Sequence, residues 1–298
     1  MTSAACLPDG FRDGTMTAQD GLRLHFRDYG DPLANTVPLL CLSGLTRNAG
    51  DFHALARRQA ARRRVLCPDY RGRGRSAYDP DWRNYQPRVY LRDVLHLLAA
   101  ANLEKVVVCG TSLGAFLAMG MAVVAPTALA GVILNDAGPQ VERAGLGSIL
   151  DYVGRDRRLP DWASAVEHVK QQYPELGYSD EADWRAFARS TFRESESESE
   201  SGELVVNWDV RIAKTLTSEV PDLWPLFRAL RPIPTLALRG ERSSLLSPAT
   251  FDRMAQEHPD LSRVTVPGVG HAPSLTEPEA ARAIDEFLAP IDQRHGEG

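Results

Sequence analysis

Residues 106–115 read Val-Val-Val-Cys-Gly-Thr-Ser-Leu-Gly-Ala, and an apolar run with helical spacing follows directly. This order predicts a buried strand, a sharp turn and a helix, with Ser112 at the apex of the turn. A serine held there is exposed to a substrate and strained in its backbone. Gly110 and Gly114 are expected where a side chain would crowd the strand against the helix. A glycine-rich turn that contains a serine by chance gives the same pattern, so the surrounding sequence must decide between the two interpretations.

Short apolar runs and helical patterns alternate on both sides of this stretch. An alternating hairpin pattern stands at 21–27. Strands are predicted at 37–42, 64–68, 105–109, 130–135, 234–240 and 263–266, and helices at 51–61, 90–101, 113–124, 248–258 and 277–288. Strands that alternate with helices favour a mostly parallel sheet wrapped by helices, so the predicted fold class is α/β.

The alternation stops between about residues 138 and 231. This segment holds four of the five tryptophans, its pattern is helical, and no buried strand is expected in it. Glutamate and serine alternate over 194–201, which predicts a mobile, solvated loop; a phosphorylation switch is the weaker interpretation. The predicted organisation is a flexible tail over 1–15, a core over 16–138 and 232–290, and an inserted segment over 139–231.

The chain has 298 residues, of which 43% are apolar and 24% charged, with a net charge of −5. The lack of a long basic run argues against nucleic acid as a partner, and the lack of an apolar window of about 18 residues argues against a membrane span. No signal peptide is expected at the N-terminus, so a cytoplasmic location is predicted. The four cysteines, Cys6, Cys41, Cys67 and Cys109, show no metal-ligand spacing. Neither a metal nor a cofactor is expected, and the sequence leaves a homodimer open.

Five motifs in this order resemble the α/β-hydrolase superfamily over nearly the whole chain. They are Leu-Ser-Gly-Leu-Thr at 42–46, Asp-Tyr-Arg-Gly-Arg-Gly-Arg-Ser at 69–76, the turn at 110–114, the loop at 240 and Gly-Val-Gly-His-Ala-Pro at 268–273. The resemblance implies an eight-stranded, mostly parallel sheet. It also implies that residues 139–231 form a helical cap inserted after the sixth strand.

A serine is a poor nucleophile at neutral pH and needs a base within hydrogen-bond reach. His271 lies in the glycine-flanked loop after the last predicted strand, where the resemblance places the catalytic histidine. The chain order, serine and then histidine, agrees with this assignment. The other histidines are expected to be surface residues or satisfied core residues; they are His25, His53, His96, His168, His258 and His295.

The acid of the triad is missing from its usual position. The resemblance implies an aspartate in the loop after the strand at 235–239, and Ser244 stands there instead. A serine cannot stabilise the imidazolium, and losing that charge costs on the order of 10⁴ in turnover. Asp136, directly after the sixth strand, is the preferred replacement, because some families of this fold take their acid from that position. The alternatives are a hinge or helix-capping role for Asp136, and an impaired enzyme in which Ser244 replaces an aspartate.

The oxyanion that forms during acyl transfer needs two amide donors. The resemblance assigns them to the backbone N–H groups of Leu45 and Leu113. Leu113 begins the predicted helix, whose dipole favours negative charge. The loop before Leu45 begins Ser-Gly, where the family usually has His-Gly. Asp69 and Arg71 are expected to hold their own loop in place and not to react.

The predicted function is a serine hydrolase that cleaves an ester, thioester or lactone of a small, partly apolar substrate through an acyl-enzyme. A second option is hydrolysis of a carbon–carbon bond in a ketone substrate, a β-diketone. The fold alone does not distinguish this reaction from ester cleavage. A ligand receptor with little turnover is the option from a different class. A serine at the apex argues against the dehalogenases and epoxide hydrolases of this fold, which use aspartate. Four aromatic residues are expected to wall the pocket or to form plain core: Trp162, Trp184, Trp208 and Phe227.

Overall fold

The computed structural model describes residues 10–196, 202–216 and 222–296. Cys6 and residues 197–201 of the serine–glutamate run lie outside this part of the chain, so the expectations about them stay predictions. The strands of the described residues are β1 (Arg12–Thr17), β2 (Arg23–Tyr29), β3 (Leu39–Leu42), β4 (Val65–Pro68), β5 (Val106–Thr111), β6 (Leu129–Asn135), β7 (Arg158–Leu159), β8 (Phe192–Glu194), β9 (Leu204–Val206), β10 (Thr235–Gly240) and β11 (Leu261–Val266). The α-helices of the same ranges are α1 (His53–Gln59), α2 (Pro87–Ala100), α3 (Leu113–Val124), α4 (Arg143–Val153), α5 (Trp162–Gln172), α6 (Glu181–Thr191), α7 (Trp224–Arg228), α8 (Pro248–Glu257) and α9 (Pro278–Gly296).

Within the described residues, eight strands form one sheet in the order β1-β2-β4-β3-β5-β6-β10-β11. The two pairs that involve β2 are antiparallel, and the remaining pairs are parallel. Parallel neighbours need crossover connections, and the helices supply them. The prediction of a mostly parallel eight-stranded α/β sheet is confirmed. The strand before Ser112, β5, lies inside the sheet between β3 and β6, so its carboxyl end opens between two neighbouring loops.

The central strands are buried on both faces, which explains their continuous apolar sequences. Successive residues of β3 point to opposite sides: Leu40 packs into the cluster that includes α2 and α3, and Cys41 into the cluster on the side of α9. Cys41, Cys67 and Cys109 lie side by side in neighbouring strands as free, fully buried thiols. They behave as small apolar residues, as expected for core cysteines.

The predicted flexible tail over 1–15 is wrong for residues 12–15, and residues 1–9 lie outside the described part of the chain. Arg12–Thr17 form β1, which pairs with β2 in antiparallel register from Arg12 opposite Asp28 to Thr17 opposite Arg23. As an edge strand with alternating half-buried and exposed residues, β1 has no continuous apolar pattern, and the backbone ladder to β2 determines its structure.

The segment between β6 and β10, which we call the insertion (residues 139–231), is mainly helical as predicted. It also contains a small antiparallel sheet in the order β7-β9-β8, so the expectation of no buried strand is wrong. Phe192, Leu204 and Val206 of this sheet are buried. Strands of two or three residues are too short to show a period of two in the sequence.

Throughout the ranges that the structure describes, no helix is both long and apolar enough to cross a membrane. The same residues contain no group of three or more histidine, cysteine or acidic side chains that could hold a metal ion.

The two glycines around Ser112 sit where the chain passes closest to itself. A Cβ on Gly114 would overlap the backbone carbonyl of Leu42 in β3, and one on Gly110 would overlap the backbone of Gly114. Both obstacles are backbone atoms, which cannot rotate away as a side chain can. The interpretation of these glycines as positions without room for a side chain is therefore confirmed.

Gly114→Ala is expected to lower the free energy of unfolding by about 1–3 kcal/mol or more, because the methyl group forces α3 away from β3. Urea denaturation followed by circular dichroism measures this change. Gly147→Ala in α4 is the matched control, since a Cβ there meets open space and alanine favours a helix over glycine by roughly 0.5–1 kcal/mol. Equal destabilisation by both substitutions would contradict the packing described for the turn.

Candidate active site

Ser112 occupies the turn between β5 and α3 in a strained conformation. Its φ of 53° and ψ of −112° lie in a region that non-glycine residues rarely adopt, and α3 begins at the next residue. The Ser112 N–H donates to the carbonyl of Asn135 at 3.1 Å. The Asn135 side chain in turn donates to Thr111 Oγ1 at 3.0 Å and to the carbonyl of Pro273 at 2.9 Å. Asn135 therefore connects the turn at Ser112 with the loop that carries His271.

The structure brings His271 and Asp136 together. Nδ1 of His271 lies 2.7 Å from Oδ2 of Asp136, which is hydrogen-bond distance. The Asp136 side chain is fully buried, whereas that of His271 retains 20% of its exposure. This arrangement leaves the other ring nitrogen, Nε2, as the group available for proton transfer if Nδ1 carries the proton.

The end of β10 and the loop that usually supplies the acid provide hydrogen-bond donors to Asp136 instead. The Gly240 N–H donates to Oδ1 at 2.8 Å, and the Ser243 hydroxyl donates to Oδ2 at 2.7 Å. Because burying a carboxylate is costly unless hydrogen bonds compensate, these two donors together with His271 account for its position. Ser244, at the usual acid position, is exposed and lines the cavity next to His271.

Sequence reasoning singled out Ser244 and missed Ser243. Ser243 Oγ also accepts the backbone N–H groups of Leu245 and Leu246, at 3.2 and 3.1 Å. A serine that caps its own turn and donates to a carboxylate at once has all its hydrogen-bonding capacity engaged. In the sequence, Ser243 ends an Arg-Gly-x-x-Ser pattern directly before Ser244. This pattern indicates that Ser243 binds the acid only when Asp136 is known to lie against the same loop.

The assignment of Leu45 and Leu113 as donors to the oxyanion stays a prediction. Leu113 is the first residue of α3, and Leu45 lines the cavity that Ser112 faces. Arg73 Nε donates to the Leu45 carbonyl at 2.8 Å, which holds this loop in place. Across the described residues, neither the Leu45 N–H nor the Leu113 N–H donates to another backbone carbonyl or side chain of the chain.

Ser112 and His271 face a common cavity of about 480 Å³. Its remaining walls come from the Leu45 loop, from the loop of Ser244, and from the insertion. The aromatic residues on the insertion side are Tyr152, Tyr173, Tyr178 and Phe187. The four aromatic residues that the sequence offered as pocket walls do not line this cavity, and Trp184, Trp208 and Phe227 are buried core.

The remaining predicted residues lie outside the cavity. None of the other histidines, all of which lie in the described ranges, lines this cavity. His25 is buried between two aspartates: its Nδ1 lies 2.8 Å from Asp69 Oδ2, and its Nε2 lies 2.7 Å from Asp13 Oδ1. Arg71 has no exposed surface and forms ion pairs with three aspartates, Asp20, Asp79 and Asp93. The expectation that Asp69 and Arg71 hold their loop agrees with these contacts.

Comparison with known proteins identifies the family. A family model for the alpha/beta hydrolase family matches residues 39–284. The chain is 30% identical over 274 residues to the 3-hydroxybutyrate-oligomer hydrolase of Cupriavidus necator, covering 89% of this chain and 92% of that protein. Over 259 residues it is 28% identical to the 2-(acetamidomethylene)succinate hydrolase of Mesorhizobium japonicum, covering 84% and 87%. The crystal structure of an alpha/beta hydrolase from Novosphingobium aromaticivorans matches with a TM-score of 0.86 and 41% identity, covering 94% of this chain and 98% of that chain.

The chain belongs to the alpha/beta hydrolase family, and these relatives support a hydrolase. The superfamily suggested by the five sequence motifs is thereby confirmed.

Ser243→Ala is expected to lower the free energy of unfolding by about 1–3 kcal/mol, because it deprives a buried carboxylate of a donor. Ser244→Ala is the matched control: it removes the same hydroxyl from an exposed neighbour, and a change within about 0.5 kcal/mol is expected. Urea denaturation at neutral pH measures both. Equal effects of the two substitutions would show that the contact between Ser243 and Asp136 is not the stabilising one.

Proposed function

We propose that the protein is a serine hydrolase that cleaves an ester through an acyl-enzyme. The observation that carries this proposal is the 2.7 Å contact between His271 Nδ1 and Asp136 Oδ2 at the edge of the cavity that Ser112 faces. A nucleophile, a base and an orienting acid are the three groups that acyl transfer from serine requires.

In the proposed reaction, Nε2 of His271 takes the proton of the Ser112 hydroxyl as its oxygen attacks the ester carbonyl carbon. Asp136 keeps the Nδ1 proton in place and stabilises the imidazolium that forms. The oxyanion accepts hydrogen bonds from the N–H groups of Leu45 and Leu113, and the dipole at the start of α3 adds to their effect. His271 then returns the proton to the leaving alcohol, and the same groups activate water to release the acid.

The proposed substrate is an ester of a short, oxygen-containing acid. Polar side chains, among them Thr46, Arg47, Gln172 and Tyr178, line the cavity that Ser112 faces. A long alkyl chain would leave such groups without partners, which is unfavourable. The name of the 30% identical relative, a 3-hydroxybutyrate-oligomer hydrolase, supports the same substrate class. The insertion would act as the cap that closes this cavity.

Asp136→Asn is expected to lower kcat for p-nitrophenyl butyrate by about 10⁴-fold, because the amide cannot stabilise the imidazolium. Ser244→Asp is expected not to increase turnover, since Asp136 already provides the charge. Steady-state kinetics measure both changes. A large gain from Ser244→Asp, together with full activity in Asp136→Asn, would show that the acid belongs at 244.

A fluorophosphonate probe is expected to label the wild-type protein at Ser112 and to leave Ser112→Ala unlabelled, as found by peptide mass spectrometry. Labelling without hydrolysis of any ester would redirect the proposal to carbon–carbon bonds. Absence of both labelling and hydrolysis would overturn it in favour of a ligand receptor.

A further inference from the structure

An ion pair that the proposed reaction does not use faces the same cavity. Arg47, two residues after Leu45, donates from Nε to Asp51 Oδ2 at 2.7 Å and from Nη2 to Asp51 Oδ1 at 2.5 Å. Both side chains line the cavity, with 12% and 24% of their surfaces exposed. Burial alone would lower the pKa of Arg47, but its pairing with Asp51 raises that pKa above the ordinary value. The guanidinium therefore stays charged.

The insertion holds this pair in a fixed position. Thr191 Oγ1 accepts from Arg47 Nη1 at 2.6 Å, and the Phe187 ring lies 3.9 Å from the guanidinium carbon. The Ser190 hydroxyl donates to Asp51 Oδ1 at 2.8 Å. A guanidinium stacked on an aromatic ring and bound on one edge loses little further freedom when a ligand approaches.

Arg47 still has unused N–H donors, and Asp51 still has an unused acceptor position. A guanidinium has five N–H donors, and the contacts with Asp51 and Thr191 occupy three of them. Asp51 Oδ1 accepts from both Arg47 and Ser190, whereas Oδ2 accepts from Arg47 alone among the described residues and can accept once more. The pair can therefore donate to and accept from one small polar group.

Arg47 and the nucleophile border the same part of the cavity wall. A Cβ placed on Gly44 would be 3.3 Å from Arg47 Cγ and 3.8 Å from Ser112 Cβ. The two side chains therefore lie next to the same glycine of the cavity wall. An acyl group bound to Ser112 would occupy the cavity that Arg47 and Asp51 also line.

The chemistry of the pair selects its ligand. An alkyl chain leaves both the donors and the acceptor unpaired, which is unfavourable in a partly buried site. A carboxylate can accept from Arg47, but it meets the negative charge of Asp51. A hydroxyl group is both donor and acceptor, so it can satisfy the two residues at once.

We infer that the Arg47–Asp51 pair binds the free 3-hydroxyl of a 3-hydroxyacyl group attached to Ser112, with the hydroxyl donating to Asp51 and accepting from Arg47. The inference rests on the proposed function and assigns the pair as a specificity determinant for the acyl portion of the ester. Arg47 and Asp51 take no part in proton transfer.

The test compares kcat/KM for p-nitrophenyl 3-hydroxybutyrate and p-nitrophenyl butyrate, which share chain length and leaving group. The wild-type protein is expected to favour the hydroxylated ester by about tenfold to a hundredfold, the range for hydrogen bonds to charged groups. In Asp51→Asn this ratio is expected to fall by about tenfold or more, because the charge that accepts the hydroxyl proton is gone. Asp252→Asn, at an exposed pair with Arg263, is the control and is expected to keep the wild-type ratio.

A substrate-side measurement avoids any effect of substitution on folding. With the wild-type protein, p-nitrophenyl 3-methoxybutyrate keeps the acceptor but lacks the donor, and it is expected to lose the preference over butyrate. If butyrate is hydrolysed and 3-hydroxybutyrate shows no preference, the assignment of the pair is overturned while the proposed function stands. An unchanged ratio in Asp51→Asn overturns it as well. If neither ester is hydrolysed, the proposed function fails first.

Discussion

The burial of one carboxylate controls the geometry of the site. Asp136 has no exposed surface, and a buried charge of this kind is tolerated only when its oxygens are hydrogen-bonded. Gly240 provides one of those contacts from the end of β10, and Ser243 and His271 provide the others from the loops that follow β10 and β11. The hydrogen bond that His271 makes with the Asp136 carboxylate therefore also places the imidazole at the carboxyl end of β6. The positive φ of Asp136, 52°, shows that the backbone accepts strain to place it there.

The strand order explains how residues distant in sequence come together. In the sheet, β6 lies between β5 and β10, so the residues after these three strands meet at one edge. Asn135 reinforces this arrangement through its contacts with Thr111 and Pro273. Ligands of open α/β sheets bind at the carboxyl ends of the strands. The cavity that Ser112 and His271 line also lies at the carboxyl ends of the strands.

Much of the fold could be predicted from the sequence, because the buried strands and amphipathic helices of the core have clear periodicity. The polar edge strand β1 and the short strands β7, β8 and β9 were missed, since partner strands and not residue patterns determine them. The candidates Ser112, His271 and Asp136 could be selected from motifs and from the resemblance. Ser243 and Arg47 could not, because their contacts depend on the approach of the β10 loop to β6 and of α6 to the Leu45 loop.

The role of Asp136 as the acid behind His271 and Ser112 is tested most directly by a crystal structure of the protein after reaction with a fluorophosphonate. We expect phosphorus bonded to Ser112 Oγ, with the phosphonyl oxygen accepting from the N–H groups of Leu45 and Leu113. We also expect that His271 Nδ1 remains at hydrogen-bond distance from Asp136. An adduct on another residue, or a His271 ring turned from Asp136 toward Ser244, would contradict the account.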